Sequence, residues 1–459
     1  MKLEKYKETD WKRCPGLIVG RDEKTNKIVY IPSARDGRNY FVFGRPGDGK
    51  TQMLILTAVM WGKHSFKPKV KTSGSVFCID LKGDIYKQTN PYRKIRCFSL
   101  INPEKSCSFN PFDGVENMND DDLFAHIKSL GINIIPKPRG NETSYFYDTA
   151  LQFWIAICLH MLSEDINTSF PEVVFAIKNK TYKDWLDFIL NGSCDAAKMQ
   201  VAAKVDETEQ NVASGYSTLA TALDTFAQKK VMKLLGNNPK NKFVSEQALE
   251  DGYDVYLQLN TEQLKVYAPL ISMITQKFMN EFALRENNPR AGRNKSGTLR
   301  PILMLLDEFP RLTTLDYDTV LTAFTTLRSM NISITAIMQS RSLLVDMLDE
   351  NKANALADCI YGFFVLSMVD DKSKEWFSNL VGKKKELQWS NSLSEDSNEK
   401  KNAGRSVTEV EVPIYPPYLL DTLIDRDNNI DDLIVLINGK HARLNKMYFW
   451  KEVRKKAKR

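Results

Sequence analysis

The chain has 459 residues, of which 42% are hydrophobic and 26% charged, and its formal net charge is +7. That balance excludes a disordered or low-complexity chain and describes a soluble globular protein with room for two or three domains. The mild positive charge permits a nucleic-acid partner without demonstrating one, and seven scattered cysteines without a C-x-x-C pair indicate neither a disulfide framework nor a zinc module.

The N-terminus, MKLEKYKETDWKRCPG, has no apolar h-region and is not a signal peptide. Short strands are predicted at 17–19 and 28–31. Next come the strand YFVFG, the loop RPGDGKT and the helix QMLILTAVMWGK. Further strands are predicted at SVFCID, 75–80, and IRCFSL, 95–100. Apolar strands alternating with a helix imply a parallel α/β sheet.

From 116 to 248 apolar residues recur at helical spacing, punctuated by Gly, Asn and Pro, which predicts an all-helical insertion. Its most apolar run, LQFWIAICLHML at 151–162, is too short to span a bilayer and carries Gln152 and His160. A strand returns at 254–260, followed by a helix over 264–285 and a basic loop over 285–301. ILMLLDEFPRL is the most apolar short run of the chain. A helix at DTVLTAFTTLRSM leads to the strand ISITAIMQS, and LADCIYGFFVLS supplies another. The polar stretch 389–409 reads as a mobile loop. A last strand, DLIVLINGK, precedes the basic tail KEVRKKAKR. The expected division is 1–115 and 249–459 as two parts of one nucleotide-binding domain, with 116–248 inserted between them.

Gly44, Arg45, Pro46, Gly47, Asp48, Gly49, Lys50 and Thr51 satisfy the phosphate-loop pattern G-x-x-x-x-G-K-T, after a strand and before a helix. Glycines let consecutive backbone N–H groups close around phosphate oxygens, and the following helix adds its positive N-terminal end. Lys50 then reaches the β- and γ-phosphates of ATP, and the Thr51 hydroxyl holds Mg2+. Asp48 is a negative charge inside this loop; because the amides do the binding, its side chain is expected to face solvent. Asp307 and Glu308 end the apolar run, where Asp307 can hold Mg2+ and Glu308 can polarise the attacking water. Gln339 ends the next strand, where an amide can sense the γ-phosphate or simply be solvated. Arg328 precedes that strand and can act on a neighbouring subunit's nucleotide, or be a plain surface arginine. Asp80, Lys82 and Gly83 stand at a strand's C-terminal end, where α/β sheets place ligand sites. The tail and the 285–301 loop can touch DNA phosphates, although a solvated charge run is the commoner explanation.

The order of these blocks resembles the conjugative type IV coupling proteins, the TraG/TraD class. The resemblance runs from about residue 15 to 445 and rests on FVFGRPGDGKT, SVFCIDLKGDIY, SFNPFDG, PILMLLDEFPRL, TTLRSMNISITAIMQSRSLL and SKEWFSNLVGKK. It implies a RecA-like P-loop NTPase motor domain with an inserted all-α domain, assembled as a homo-hexamer around DNA. It implies Mg2+ and ATP as cofactors, a relaxase-bound DNA strand as cargo and type IV secretion components as partners. The family roles fall on Lys50, Thr51, Asp307, Glu308 and Gln339. Arg-Pro-Gly-Asp stands where such proteins more often carry small residues. Their N-terminal membrane helices have no counterpart here, so the expected setting is the cytoplasm, at the inner face of the membrane through a separate membrane subunit, or work as a soluble motor. Two alternatives stay open: an FtsK/HerA-like double-stranded DNA translocase, and an adaptor that binds nucleotide without significant hydrolysis.

Overall fold

A computed structural model of the chain describes residues 4–6, 8–33, 37–137, 144–236, 242–395, 401–425 and 427–454. Strands β1 (Glu4–Tyr6), β2 (Gly16–Arg21) and β3 (Ile28–Pro32) precede β4 (Tyr40–Phe43), which feeds helix α1 (Lys50–Met60). β5 (Ser75–Asp80), α2 (Asp84–Thr89) and β6 (Ile95–Ser99) follow. The chain then turns helical: α3 (Asp120–Ile134), α4 (Tyr145–Glu164), α5 (Phe170–Asn179), α6 (Tyr182–Asn191), α7 (Asp195–Val201), α8 (Glu209–Ala222), α9 (Lys229–Leu235) and α10 (Glu246–Glu250). Strands resume with β7 (Asp254–Gln258), α11 (Leu264–Ala283), β8 (Ile302–Leu306), α12 (Tyr317–Thr326) and β9 (Ile332–Met338). α13 (Arg341–Leu348), α14 (Glu350–Asp358), β10 (Gly362–Val365) and α15 (Asp371–Val381) come next. The last elements are β11 (Lys383–Glu395), β12 (Lys401–Pro413), β13 (Ile424–Asp425), β14 (Ile430–Ile437), β15 (Lys440–Asn445) and α16 (Phe449–Arg454).

Among the described residues, one sheet runs in the order β1-β3-β2-β15-β14-β10-β4-β9-β8-β5-β7-β6, with β13 beside β14. From β10 to β6 every neighbouring pair is parallel, and from β10 outward through β14 the pairs are antiparallel. β4, β5, β8 and β9 are buried along their whole length. That explains why they read as unbroken apolar runs rather than alternating ones. Their side chains still divide by face. Val76, Cys78, Leu303 and Leu305 pack with α1, whereas Phe77, Ile79, Met304 and Leu306 pack with α11 and the helical segment.

The helical segment shares a continuous core with that second sheet face, in which Trp154 of α4 and Phe278 of α11 both take part. The Trp154 indole also donates to the Ile127 carbonyl at 2.8 Å, tying α4 to α3. Among the described residues no helix is long and apolar enough to cross a membrane.

Two expectations are corrected. The stretch 389–409 is not a loop, because most of it lies in an antiparallel ribbon in which β11 and β12 pair from Lys383↔Pro413 to Glu395↔Lys401; residues 396–400 lie outside the described residues. The β-branched Val407, Thr408, Val410 and Val412 favour extended backbone. Residues 383–389 and 407–409 of the ribbon are exposed, Trp389 being 69% exposed, so no apolar alternation marks a core side there. The basic 285–301 loop also turns cations inward. Arg285, 2% exposed, binds both carboxylate oxygens of Glu250 at 2.6 and 2.9 Å, and Arg300 donates to the Glu250 carbonyl at 2.9 Å. These two arginines hold the protein together and are not presented to a phosphate backbone. Of the tail, residues 455–459 lie outside the described residues.

Candidate nucleotide site

Parallel pairing brings the C-terminal ends of β4, β9, β8 and β5 to one edge of the sheet, in that order. The P-loop leaves β4, Gln339 leaves β9, Asp307 and Glu308 leave β8, and Asp80 ends β5. Residues spread over almost 300 positions of sequence, from Gly44 to Gln339, therefore meet, as expected for ligand sites of α/β sheets.

The loop has left-handed backbone at Gly47 (φ 90°) and Gly49 (φ 89°), which side-chain-bearing residues rarely adopt. α1 begins at Lys50 with no acidic residue in its first turn, leaving its positive end open to an anion. The Lys50 ammonium donates to the carbonyls of Gly44 and Arg45, the latter at 3.0 Å. Burial lowers its pKa, while Glu308, Asp307 and Asp48 oppose the shift.

Asp48 departs from expectation. Its carboxylate does not face solvent: the residue is 8% exposed and accepts from the Arg45 backbone N–H at 2.8 Å and from the Ser367 hydroxyl. Gly47 and Gly49 on either side supply the turn that folds the side chain inward. Two cations offset the charge: the Arg45 guanidinium 3.6 Å away and the field of Lys446, whose pKa burial lowers to about 8 against the opposing pull of Asp431 and Asp48. Neither Ser367, two residues after β10, nor Lys446, after β15, carries a motif that would flag it in sequence.

Across the site stand three carboxylates. Burial pushes Asp307 up to about 7, with Glu308 and Asp80 adding like charge and Lys50 and Lys82 pulling it down. Asp80 is itself raised by burial, although it accepts from the backbone N–H groups of Gly83 and Tyr86 at 3.0 and 2.8 Å. Lys82 beside it is exposed. Glu308 sits at φ 51°, and the Gln339 amide donates to its two oxygens at 3.3 and 3.2 Å. Arg311, unmarked by the sequence reading, lies 3.5 Å from the same carboxylate. Arg328 is not part of this cluster. It is exposed and precedes the N-terminal end of β9, whereas Gln339 follows its C-terminal end.

Mg2+ fits the donor set. Thr51 and Asp307 offer hard oxygens, and a cation beside Asp307 offsets the burial and the neighbouring Glu308 and Asp80 charges that together raise its pKa. Among the described residues no group of three or more His, Cys, Asp or Glu forms a protein-only cage. This suits an ion held by one or two side chains together with phosphate oxygens.

Among solved structures, the bacterial conjugative coupling protein TrwBdeltaN70 in its unbound monoclinic form is similar, with a TM-score of 0.67 and 15% identity over 98% of this chain and 95% of that one. TrwB in complex with ADP and Mg2+ gives a TM-score of 0.67 and 16% identity over 98% and 96%. VirB4 of Thermoanaerobacter pseudethanolicus gives 0.52 and 14% over 95% and 98%. These likenesses establish the fold, a RecA-like α/β fold with an all-α part. No curated protein matches the chain. The family described as "Type IV secretory system Conjugative DNA transfer" matches residues 1–458, and the chain belongs to that family.

Proposed function

We propose that the chain is the ATP-hydrolysing motor of a conjugative coupling complex, one that takes up relaxase-bound DNA and passes it to a type IV secretion channel. The observation that carries this reading is the meeting of the P-loop, Asp307, Glu308 and Gln339 at one sheet edge, in a chain of the conjugative DNA transfer family. TrwB, of similar fold, has been solved with ADP and Mg2+ and with a non-hydrolysable ATP analogue, which supports the nucleotide assignment.

ATP lies along the P-loop amides and the start of α1, and Lys50 leaves the Gly44 and Arg45 carbonyls to reach the β- and γ-phosphates. Thr51 and Asp307 would hold Mg2+, which would supply charge neutralisation at the phosphates. Glu308 accepts the proton of the attacking water, and Gln339 positions that carboxylate. The segment 116–248 is the inserted unit that meets the relaxosome, and the working form is a homo-hexamer docked at the membrane through a partner. Within it, Arg328 acts on a neighbouring subunit's nucleotide, since its own site is at the other end of β9.

The test is ATPase turnover with and without single- and double-stranded DNA. Wild type is expected to hydrolyse ATP faster with DNA, Lys50→Ala to lose turnover, and Glu308→Gln to bind ATP without cleaving it. Wild-type binding without DNA-stimulated hydrolysis, even with the relaxase present, would replace the motor with a recruiting adaptor.

A further inference from the structure

A P-loop grips phosphates, and something else must meet the base. Lys50 marks the β/γ end of the phosphate chain, so the nucleoside leaves the loop past the first turn of α1, where Gln52 stands. The segment after β15 walls that exit. Tyr448 lies directly on the loop: a Cβ at Gly49 would stand 2.5 Å from the tyrosine Cε1. The Tyr448 hydroxyl donates to Asp431 at 2.7 Å, which fixes the ring. Two residues on, the Trp450 backbone N–H donates to the Gln52 side-chain oxygen at 3.2 Å. Phe449 between them is 6% exposed and turns into the core beside Tyr92, with ring centroids 6.0 Å apart. Trp450 remains 44% exposed, its ring centroid 6.2 Å from that of Tyr448. A large aromatic surface is therefore tied by its own backbone to the first turn of the phosphate-binding helix.

We infer that Trp450 is the platform on which the purine base of the bound nucleotide stacks, with Tyr448 and Gln52 fixing its place. The inference rests on the nucleotide reading above and adds the base-binding wall. An indole reads the π-face of a base and not its hydrogen-bonding edge, so this wall separates nucleotides from bare polyphosphate without separating adenine from guanine.

The experiment is equilibrium binding of ATP, GTP and inorganic tripolyphosphate, each with Mg2+, to the full chain as wild type, Trp450→Ala, Trp450→Phe and Lys50→Ala. The expected result is about tenfold weaker ATP and GTP binding in Trp450→Ala, from loss of one base–aromatic stack, with tripolyphosphate affinity unchanged. Trp450→Phe recovers most of the loss, and Lys50→Ala weakens all three ligands. Unchanged ATP affinity in Trp450→Ala overturns the inference, including the case where only the oligomeric state shifts. Equal weakening of ATP and tripolyphosphate also overturns it, because the residue would then act through the loop. Wild type that binds neither ATP nor tripolyphosphate removes the nucleotide reading itself, and this inference with it.

Discussion

The side-chain amide of Gln339 donates to both carboxylate oxygens of Glu308, at 3.3 and 3.2 Å, across the ends of neighbouring strands β9 and β8. This pair joins the candidate base to the strand next to the P-loop strand. It predicts that Gln339 acts through the orientation of Glu308. Gln339→Ala is expected to lower kcat about 10- to 100-fold with KM within about threefold, as for loss of a positioned general base's partner. Steady-state ATPase assays decide it; a raised KM with unchanged kcat would move Gln339 to substrate binding.

Asp48 spans the P-loop and β10 through the Arg45 N–H and the Ser367 hydroxyl. Asp48→Ala leaves those donors and the buried Lys446 without its charge, and should cost about 1–3 kcal/mol of stability. It also removes a negative charge from the P-loop and leaves the Arg45 N–H only its second acceptor, the Ser367 hydroxyl oxygen at 3.1 Å, so ATP affinity should hold or rise. Denaturant unfolding and calorimetric titration measure the two effects. Loss of ATP binding with unchanged stability would make Asp48 a ligand-contacting group instead.

Asp307 gives the pH dependence. Its folded-state pKa of about 7 lies above the unfolded value, so between about pH 4 and pH 7 the folded state holds a proton that the unfolded state lacks. The associated stability is complete below about pH 4 and is lost as pH rises through about 7. Asp307→Asn removes that loss. Without nucleotide or metal, the variant should therefore have a higher urea midpoint than wild type at pH 8, with the difference shrinking toward pH 4. Mg2+ favours the ionised carboxylate, so Mg2+-dependent ATP binding should tighten in wild type from pH 6 to pH 8 and stay flat in the variant. An equal or lower midpoint for Asp307→Asn at pH 8 contradicts this account.

The Arg285–Glu250 pair is buried on both sides, at 2% and 1% side-chain exposure. Removing one partner strands the other charge, and Arg285→Ala should cost about 3–5 kcal/mol. Arg290 and Lys295 of the same loop are exposed. If the loop contributes to DNA binding, Arg290→Ala and Lys295→Ala reduce the salt dependence of affinity without changing stability. A stable Arg285→Ala protein with weaker DNA binding would reverse the assignment.

Local pattern made the strands and the phosphate loop legible. SVFCID is β5 over its full length, and ISITAIMQS contains β9, because strands covered on both faces must be apolar throughout. Gly49-Lys50-Thr51 and Asp307-Glu308 stand out in sequence because each motif is contiguous, and the structure places them after the C-terminal ends of β4 and β8. The ribbon β11–β12 was not legible: residues 383–389 and 407–409 are all exposed, which leaves no apolar periodicity to read there.

The sequence alone determined that a phosphate loop follows one buried strand and an acidic pair follows another. Only the tertiary structure decided which strands are neighbours, and so which side chains meet. The order β10-β4-β9-β8 sets Ser367 against Asp48 and Gln339 against Glu308. The return of β15 to the sheet brings Lys446 and Tyr448 to the P-loop from almost 400 residues away. No local propensity encodes those distances, because strand order is fixed by the packing of the whole sheet between its two cores.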